Sequence, residues 1–498
     1  MTLLIRNVKV IGGSKEYPDS SDVFIVGDKI SAIGGFPQKK ADVVFDGQAA
    51  YLTPGFIDLG ATSDHYLDIL EDPTQGHYLR QGVTTAIGGH CGFSLAPLLY
   101  GRLDSLRKWG DVGRVNSNWR TTKEFLTGLN KSQLGVNFGT LTGHVTVRED
   151  LIGTAPREVS PSELTIFKKV LRDSIHDGSF GISFGLEYSH GKVASYREIK
   201  NLATVASEEE ALIGMHLRSH LVDEVEQALS EALGLQSELK DNPNFLIYHL
   251  NPLRELARRY GKLISLFDEA SKERNVYASI RPYAENIMPI YFLLPEWAQA
   301  GSIEEMYGRL QDEWFAERVK KGMREVVPEK IKVLKAIGNN LVEGKTLREF
   351  MQMREIADPV EAVFKLMMMT RLRVSIDDSE LSEELLNKVL DNPKFLISTH
   401  APRNSESYES AFTKFLSRAE EKGVVELETA VKRVTELPAR LLDLSGRGVV
   451  KEGNFADLTI YRNGRIKGVI VNGKLAYNDG DIVGNFGRSL ARSFHGRK

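Results

Sequence analysis

The stretch YLTPGFIDLGAT, residues 51–62, decides the reading of this chain. A β-branched and aromatic run meets Pro54-Gly55, resumes as Phe56-Ile57-Asp58 and stops at the small residues Gly60 and Thr62. Strand-like segments continue outward from it in both directions. On the N-terminal side, LLIRNVKVI, DVFIVGDKISAIG and ADVVFDG alternate apolar and polar residues, with Gly and Asp at the joints. That is the pattern of half-buried strands in a meander.

The C-terminal end repeats this pattern in FADLTIYR, GVIVNGKLAYNDG and DIVG. Two β-rich ends around a long α/β middle predict a small β-sandwich assembled from both termini, residues 1–53 and 440–498. The middle, 54–439, alternates apolar runs with amphipathic helices. Strands are expected at 83–89, 136–143, 180–185, 212–218, 245–250, 276–283 and 395–400. Ser-type caps open the helices that begin SPSELTIF and SYREIK. Repeated strand–helix units of this number predict an α/β fold, a (β/α)8 barrel of the TIM type. Residues 286–355 are helix-forming, charge-rich and too long for an ordinary βα loop, so a helical insertion or lid is expected there.

Composition sets the class. In 498 residues, 42% hydrophobic and 26% charged content describe a globular protein, and a net charge of −3 gives no reason to expect nucleic acid as a partner. No apolar run approaches the ~20 residues that cross a bilayer, and the start lacks the layout of a signal peptide. The single cysteine excludes an intrachain disulfide and suits a reducing compartment. A cytoplasmic protein, a homo-oligomer as one option, is the expectation.

Four stretches carry a resemblance in order along the chain: GVTTAIGGHCGFSLAP (82–97), FGISFGLEYSHGKVAS (180–195), MHLRSH (215–220) and RPYAEN (281–286). With Pro-Gly-Phe-Ile-Asp58 before them and ELPARLLDL and GNFADLTIYR (453–462) after them, the chain resembles the N-acyl-D-amino-acid deacylase (D-aminoacylase) branch of the amidohydrolase superfamily. The resemblance implies a hydrolase of a C–N bond in a linear amide, with a small-molecule N-acyl amino acid as substrate. It implies one Zn2+ per chain held by Cys91, His216 and His249, a ligand set that suits zinc and leaves room for water. Tyr188, Arg218 and Tyr283 match the family's substrate-binding types.

Departures accompany the resemblance. The two histidines that would follow Asp58 as His-x-His read Gly60 and Thr62, and no histidine pair in the chain is spaced i, i+2. The family's aspartate base reads His400, either a proton carrier or a fourth ligand. A lysine two residues past His249 reads Asn251, and a serine reads Asn286. An alternative follows from these losses: a catalytically inactive barrel serving as a binding or assembly subunit.

Simpler roles are expected for the other histidines. His90 points away from Cys91, because neighbours in an extended strand face opposite sides. His144 supports the barrel, and Asp58 is structural. His65 and His77 stay out of the site unless their loop folds inward. His176, His190 and His495 are ordinary loop or helix residues. The Gly-rich GGHCG is no phosphate cradle, lacking a Walker lysine and Rossmann spacing.

Overall fold

The structure, a computed structural model, describes residues 1–422 and 426–493; His495 and the end of the 440–498 stretch lie outside the described residues. Eight parallel strands organise the middle of the chain: β1 (Phe56–Asp58), β2 (Val83–Gly88), β3 (Asn137–Thr140, continued by Thr142–Gly143), β4 (Gly181–Gly185), β5 (Leu212–His216), β6 (Phe245–Tyr248), β7 (Val276–Ile280) and β8 (Phe395–Ile397). All seven segments expected from β-branched runs are strands, each within a few residues of the expected bounds. Buried on both faces, they read as continuous apolar runs, as parallel strands covered by helices must.

Two hydrogen-bonded arcs result: β1–β2 and the first part of β3, then the rest of β3 through β4, β5, β6, β7 and β8. The end of β8 returns to β1, where the His400 N–H donates to the Gly60 carbonyl at 3.0 Å. Asp58 is fully buried at this junction and accepts from the Thr399 hydroxyl at 2.5 Å and the Gly60 N–H at 2.8 Å. It is a structural residue there, as the sequence predicts. Burial first, moderated by those donors, pushes its carboxyl up to about 6.

Residues from both ends form one eight-stranded sheet. Its order brings Leu458–Arg462 against Val43–Pro54, which in turn pairs with Thr2–Val10. The sheet curls. Lys29, the first residue of the edge strand Lys29–Gly34, bridges Phe455, although that strand lies four positions from Leu458–Arg462 in the sheet order. A flat sheet would keep them ~19 Å apart. The curl encloses a core of Leu3, Ile5, Val23, Ile25, Leu52 and Ile460.

Between β7 and β8 the chain builds a layer with its own core. Three strands, Ile287–Pro289, Lys332–Ala336 and Val374–Asp377, pair antiparallel. Helices Ile303–Leu310, Glu313–Gly322, Leu347–Arg354 and Pro359–Thr370 pack on them around Val319, Val333, Phe350 and Leu366. The segment expected as a helical insertion over 286–355 therefore contains strands as well, and its core runs on to Ile376. Strands were missed there because their sequences are short and flanked by strong helix formers.

Candidate metal centre

The parallel strands deliver their chemistry at their C-terminal ends. Cys91 lies in the turn after β2, His216 is the last residue of β5, His249 follows β6 and His400 stands three residues beyond β8. Cys91, His249 and His400 all have left-handed backbones, with φ of 50°, 55° and 32°. Such conformations cost free energy and persist where surrounding structure imposes them, often at functional sites. The GGHCG stretch is one such imposed turn: a Cβ on Gly92 would come within 2.7 Å of the Gly185 nitrogen. Gly92 serves close packing against β4, while Gly89 packs on the Leu141 backbone between the two parts of β3. His90 turns away, to the Tyr248 hydroxyl at 2.8 Å and the Ile87 carbonyl; it points away from Cys91 as expected, but through the turn after β2 and not through strand alternation.

Cys91 Sγ lies 3.3 Å from His216 Nδ1 and 3.6 Å from His249 Nε2, and the three donor atoms are mutually within 4.8 Å. A tetrahedral zinc with bonds of ~2.3 Å to sulfur and ~2.0 Å to nitrogen separates those atoms by roughly 3.5 Å. The residues present therefore fit the ion. Burial drives the Cys91 thiol well above its ordinary range, so it would not ionise alone; a bound cation displaces its proton. Burial, with His400 and His216 nearby, holds His249 well below the usual histidine range and keeps it a neutral donor.

His400 Nε2 approaches the same sulfur at 3.7 Å, and its ring lies 4.1 Å from that of His249. It belongs to no set of three donors close enough to share an ion among the described residues. Its Nδ1 is buried and has no hydrogen-bond partner among the described residues. Burial, then His65 and Arg281, keeps it neutral by lowering its pKa well below the ordinary value.

A cavity of about 360 Å³ opens above these groups. Tyr188 lines it, ring against Phe292 and Trp109. Arg218 lines it too, but Glu231 holds its guanidinium in a fork at 2.9 and 2.8 Å, and the Lys192 carbonyl takes a third N–H at 3.0 Å. Tyr283 does not line the cavity, against the sequence expectation; its hydroxyl meets Ser410 Oγ at 2.7 Å. Asn251 and Asn286 both line it.

Gly60 and Thr62 sit where the sequence locates them, and their neighbours close the space. A Cβ on Gly60 would lie 2.6 Å from Ser398 Cβ, while the Thr62 hydroxyl donates to the Ala401 carbonyl at 3.0 Å.

One feature escaped the sequence reading, and two that it left conditional take a definite form. Glu187 accepts from His216 Nε2 and His220 Nδ1, both at 2.9 Å. His65 comes from the first loop, which does fold inward: it is 3% exposed, lines the cavity and lies 6.3 Å from the His400 ring. The layer between β7 and β8 contributes Met288, Phe292 and Leu293 as an apolar wall. Glu187 carried a weak signal, since it adjoins Tyr188 in a quoted stretch; the other two depend on loop paths that no periodicity encodes. His190 is also more than a loop residue, being buried between Arg148 and the Thr154 carbonyl.

Comparison with known proteins gives the class. D-aminoacylase of Alcaligenes xylosoxydans xylosoxydans is 25% identical, over 99% of this chain and 98% of its own. N-acyl-D-aspartate deacylase of the same organism is 24% identical, over 92% and 85%. Among solved structures, N-acyl-D-glutamate deacylase of Bordetella bronchiseptica, complexed with zinc and a phosphonate inhibitor, superposes with a TM-score of 0.82 at 22% identity, over 99% of both chains. A D-hydantoinase superposes at 0.58 with 16% identity, over 99% of both. No family model matches the chain. The fold is the α/β fold of these amidohydrolases. Over nearly its whole length the chain is homologous to D-aminoacylase and the N-acyl-D-amino-acid deacylases.

Proposed function

We propose that this chain is a metal-dependent hydrolase of the C–N bond in a linear amide, an N-acyl amino acid, working with a single zinc ion. The observation that carries this reading is the convergence of Cys91, His216 and His249 at zinc-like separations on the floor of one cavity. The two arcs of parallel strands are read as one closed (β/α)8 barrel, joined between β8 and β1. The terminal sheet forms a second domain, and the layer after β7 is its lid-like insertion.

Zinc bound there polarises an amide carbonyl and acidifies water. The chain supplies the rest. His400, neutral and with an unpartnered Nδ1, takes a proton from the attacking water and returns it to the leaving nitrogen. Phe292, Leu293 and Met288 exclude solvent from the acyl group, and Tyr188, stacked on Phe292, continues that wall. With Gly60 closed off by Ser398, a second ion has lost its first-strand ligands.

The test combines elemental analysis with hydrolysis of N-acetyl amino acids of both hands. About one zinc per chain and chelator-sensitive release of the free D-amino acid are expected. One observation favours the inactive alternative: Arg218, a matched substrate residue, is already closed by Glu231. Zinc at one per chain with no hydrolysis of any acyl amino acid would select that alternative.

A further inference from the structure

Beside the three donors, and sharing His216 with them, lies a second cluster: Glu187, His216 and His220. Glu187 follows β4 by two residues. The neighbouring Leu186 N–H donates to the His216 carbonyl at 3.2 Å, so the backbone fixes where the carboxylate points. One oxygen, Oε2, lies 2.9 Å from both His216 Nε2 and His220 Nδ1, and Oε1 accepts from the His220 backbone N–H at 3.3 Å.

We propose that Glu187 is the positioning residue of the metal centre: it holds the proton of His216 on Nε2 and so turns the Nδ1 lone pair towards Cys91. The inference rests on the reading of Cys91, His216 and His249 as zinc ligands. A carboxylate between two imidazoles accepts hydrogen bonds, so both facing ring nitrogens carry hydrogen. On His216 that leaves Nδ1, 3.3 Å from Cys91 Sγ, as the only lone-pair site. Ligating histidines commonly have such a carboxylate behind them, which fixes tautomer and ring plane.

Distances separate this role from the rival one, a second ion held by the same cluster. Oxygen and nitrogen ligands on one tetrahedral zinc lie roughly 3.3 Å apart, from bonds of about 2.0–2.1 Å. Both Glu187 contacts, at 2.9 Å, have hydrogen-bond length instead. The Cys91 contacts, at 3.3 and 3.6 Å, bracket the zinc edge. One cluster is spaced for an ion and the other for protons.

Zinc affinity, measured by competition with a chromogenic chelator, tests this on the full chain. E187Q is expected to bind zinc about 10-fold more weakly and E187L about 100-fold more weakly, each still at one ion per chain. H220Q, altered on the far side of the carboxylate, stays within about threefold of wild type. The Co2+-loaded E187Q protein shows a changed ligand-field spectrum, while the melting temperatures of metal-free wild type and E187Q agree. That combination marks positioning, since a merely structural role would lower the metal-free melting temperature and leave the spectrum unmoved. Unchanged zinc affinity in both Glu187 variants overturns the inference. So does a second ion in wild type that both E187L and H220Q lose. A wild-type protein that takes up no zinc removes the underlying metal reading itself.

Discussion

At the scale of single residues, the roles of Cys91 and His400 separate cleanly. Cys91 is the common neighbour of three imidazoles, so C91A is expected to abolish zinc uptake; elemental analysis of that variant measures it. His400 sits outside the three-donor set, so H400N retains about one zinc while kcat falls ~10²–10⁴-fold, the usual contribution of a positioned proton carrier. Loss of zinc from H400N would instead make His400 a ligand. Cys91, His216 and His249 were named because the resemblance carries a cysteine and two histidines onto their positions, each at or near the end of an apolar run. Residue type does not say which way a side chain leaves a loop, and Tyr283 turns its hydroxyl to Ser410.

At the scale of elements, polar pairs hold the helices in register. His144 and Arg148, on the helix His144–Ile152, both bond Glu198 on the helix Tyr196–Glu208, each at 2.9 Å and all fully buried. His144 is thus the support residue the sequence predicts. Removing one partner leaves a buried charge uncompensated. E198A is therefore expected to cost about 3–5 kcal/mol, read as a shifted denaturant midpoint. Capping is a smaller effect. The Ser160 hydroxyl accepts from the Glu163 N–H at 3.3 Å, while the Glu163 carboxylate accepts from the Ser160 N–H at 2.8 Å. S160A should lower stability by about 1 kcal/mol in the same assay. Caps are local in sequence and were read directly; the Glu198 triad joins positions some fifty residues apart and was not.

For the whole molecule, stability rests on how the terminal sheet seats against the strand region. Asn137 of β3 donates to Asp457 at 3.0 Å and accepts from Asn472 at 2.7 Å and the Arg488 N–H at 3.2 Å. The tail then bridges β3 at Ser489. Truncation after residue 484 removes the Arg488 N–H from Asn137, the Phe486 carbonyl to which Asn472 donates and the bridge at Ser489, and a drop in melting temperature is expected. His77 lies at the same junction, stacked 3.9 Å from Tyr408 on the helix Glu406–Lys422. Burial, then Arg403 and Arg80, lowers its pKa to about 3. Below the unfolded value of ~6.5 the unfolded chain binds the extra proton, so stability contributed by neutral His77 is complete above that pH and declines towards pH 3. At pH 4.5 the loss reaches on the order of 2–3 kcal/mol. H77F should lack that part of the acid sensitivity, seen by comparing denaturant midpoints at pH 7 and 4.5.

The sequence by itself determined the parallel strands, the helix caps and the sheet made from both termini. These depend on periodicity and on local hydrogen bonding, both of which are written along the chain. Only the tertiary structure decided that Glu187 stands behind His216, that His65 enters the cavity, that Arg218 is engaged by Glu231 and that the inserted layer walls the site. Each of those joins elements whose relative placement is set by packing, and packing is a property of the folded chain as a whole.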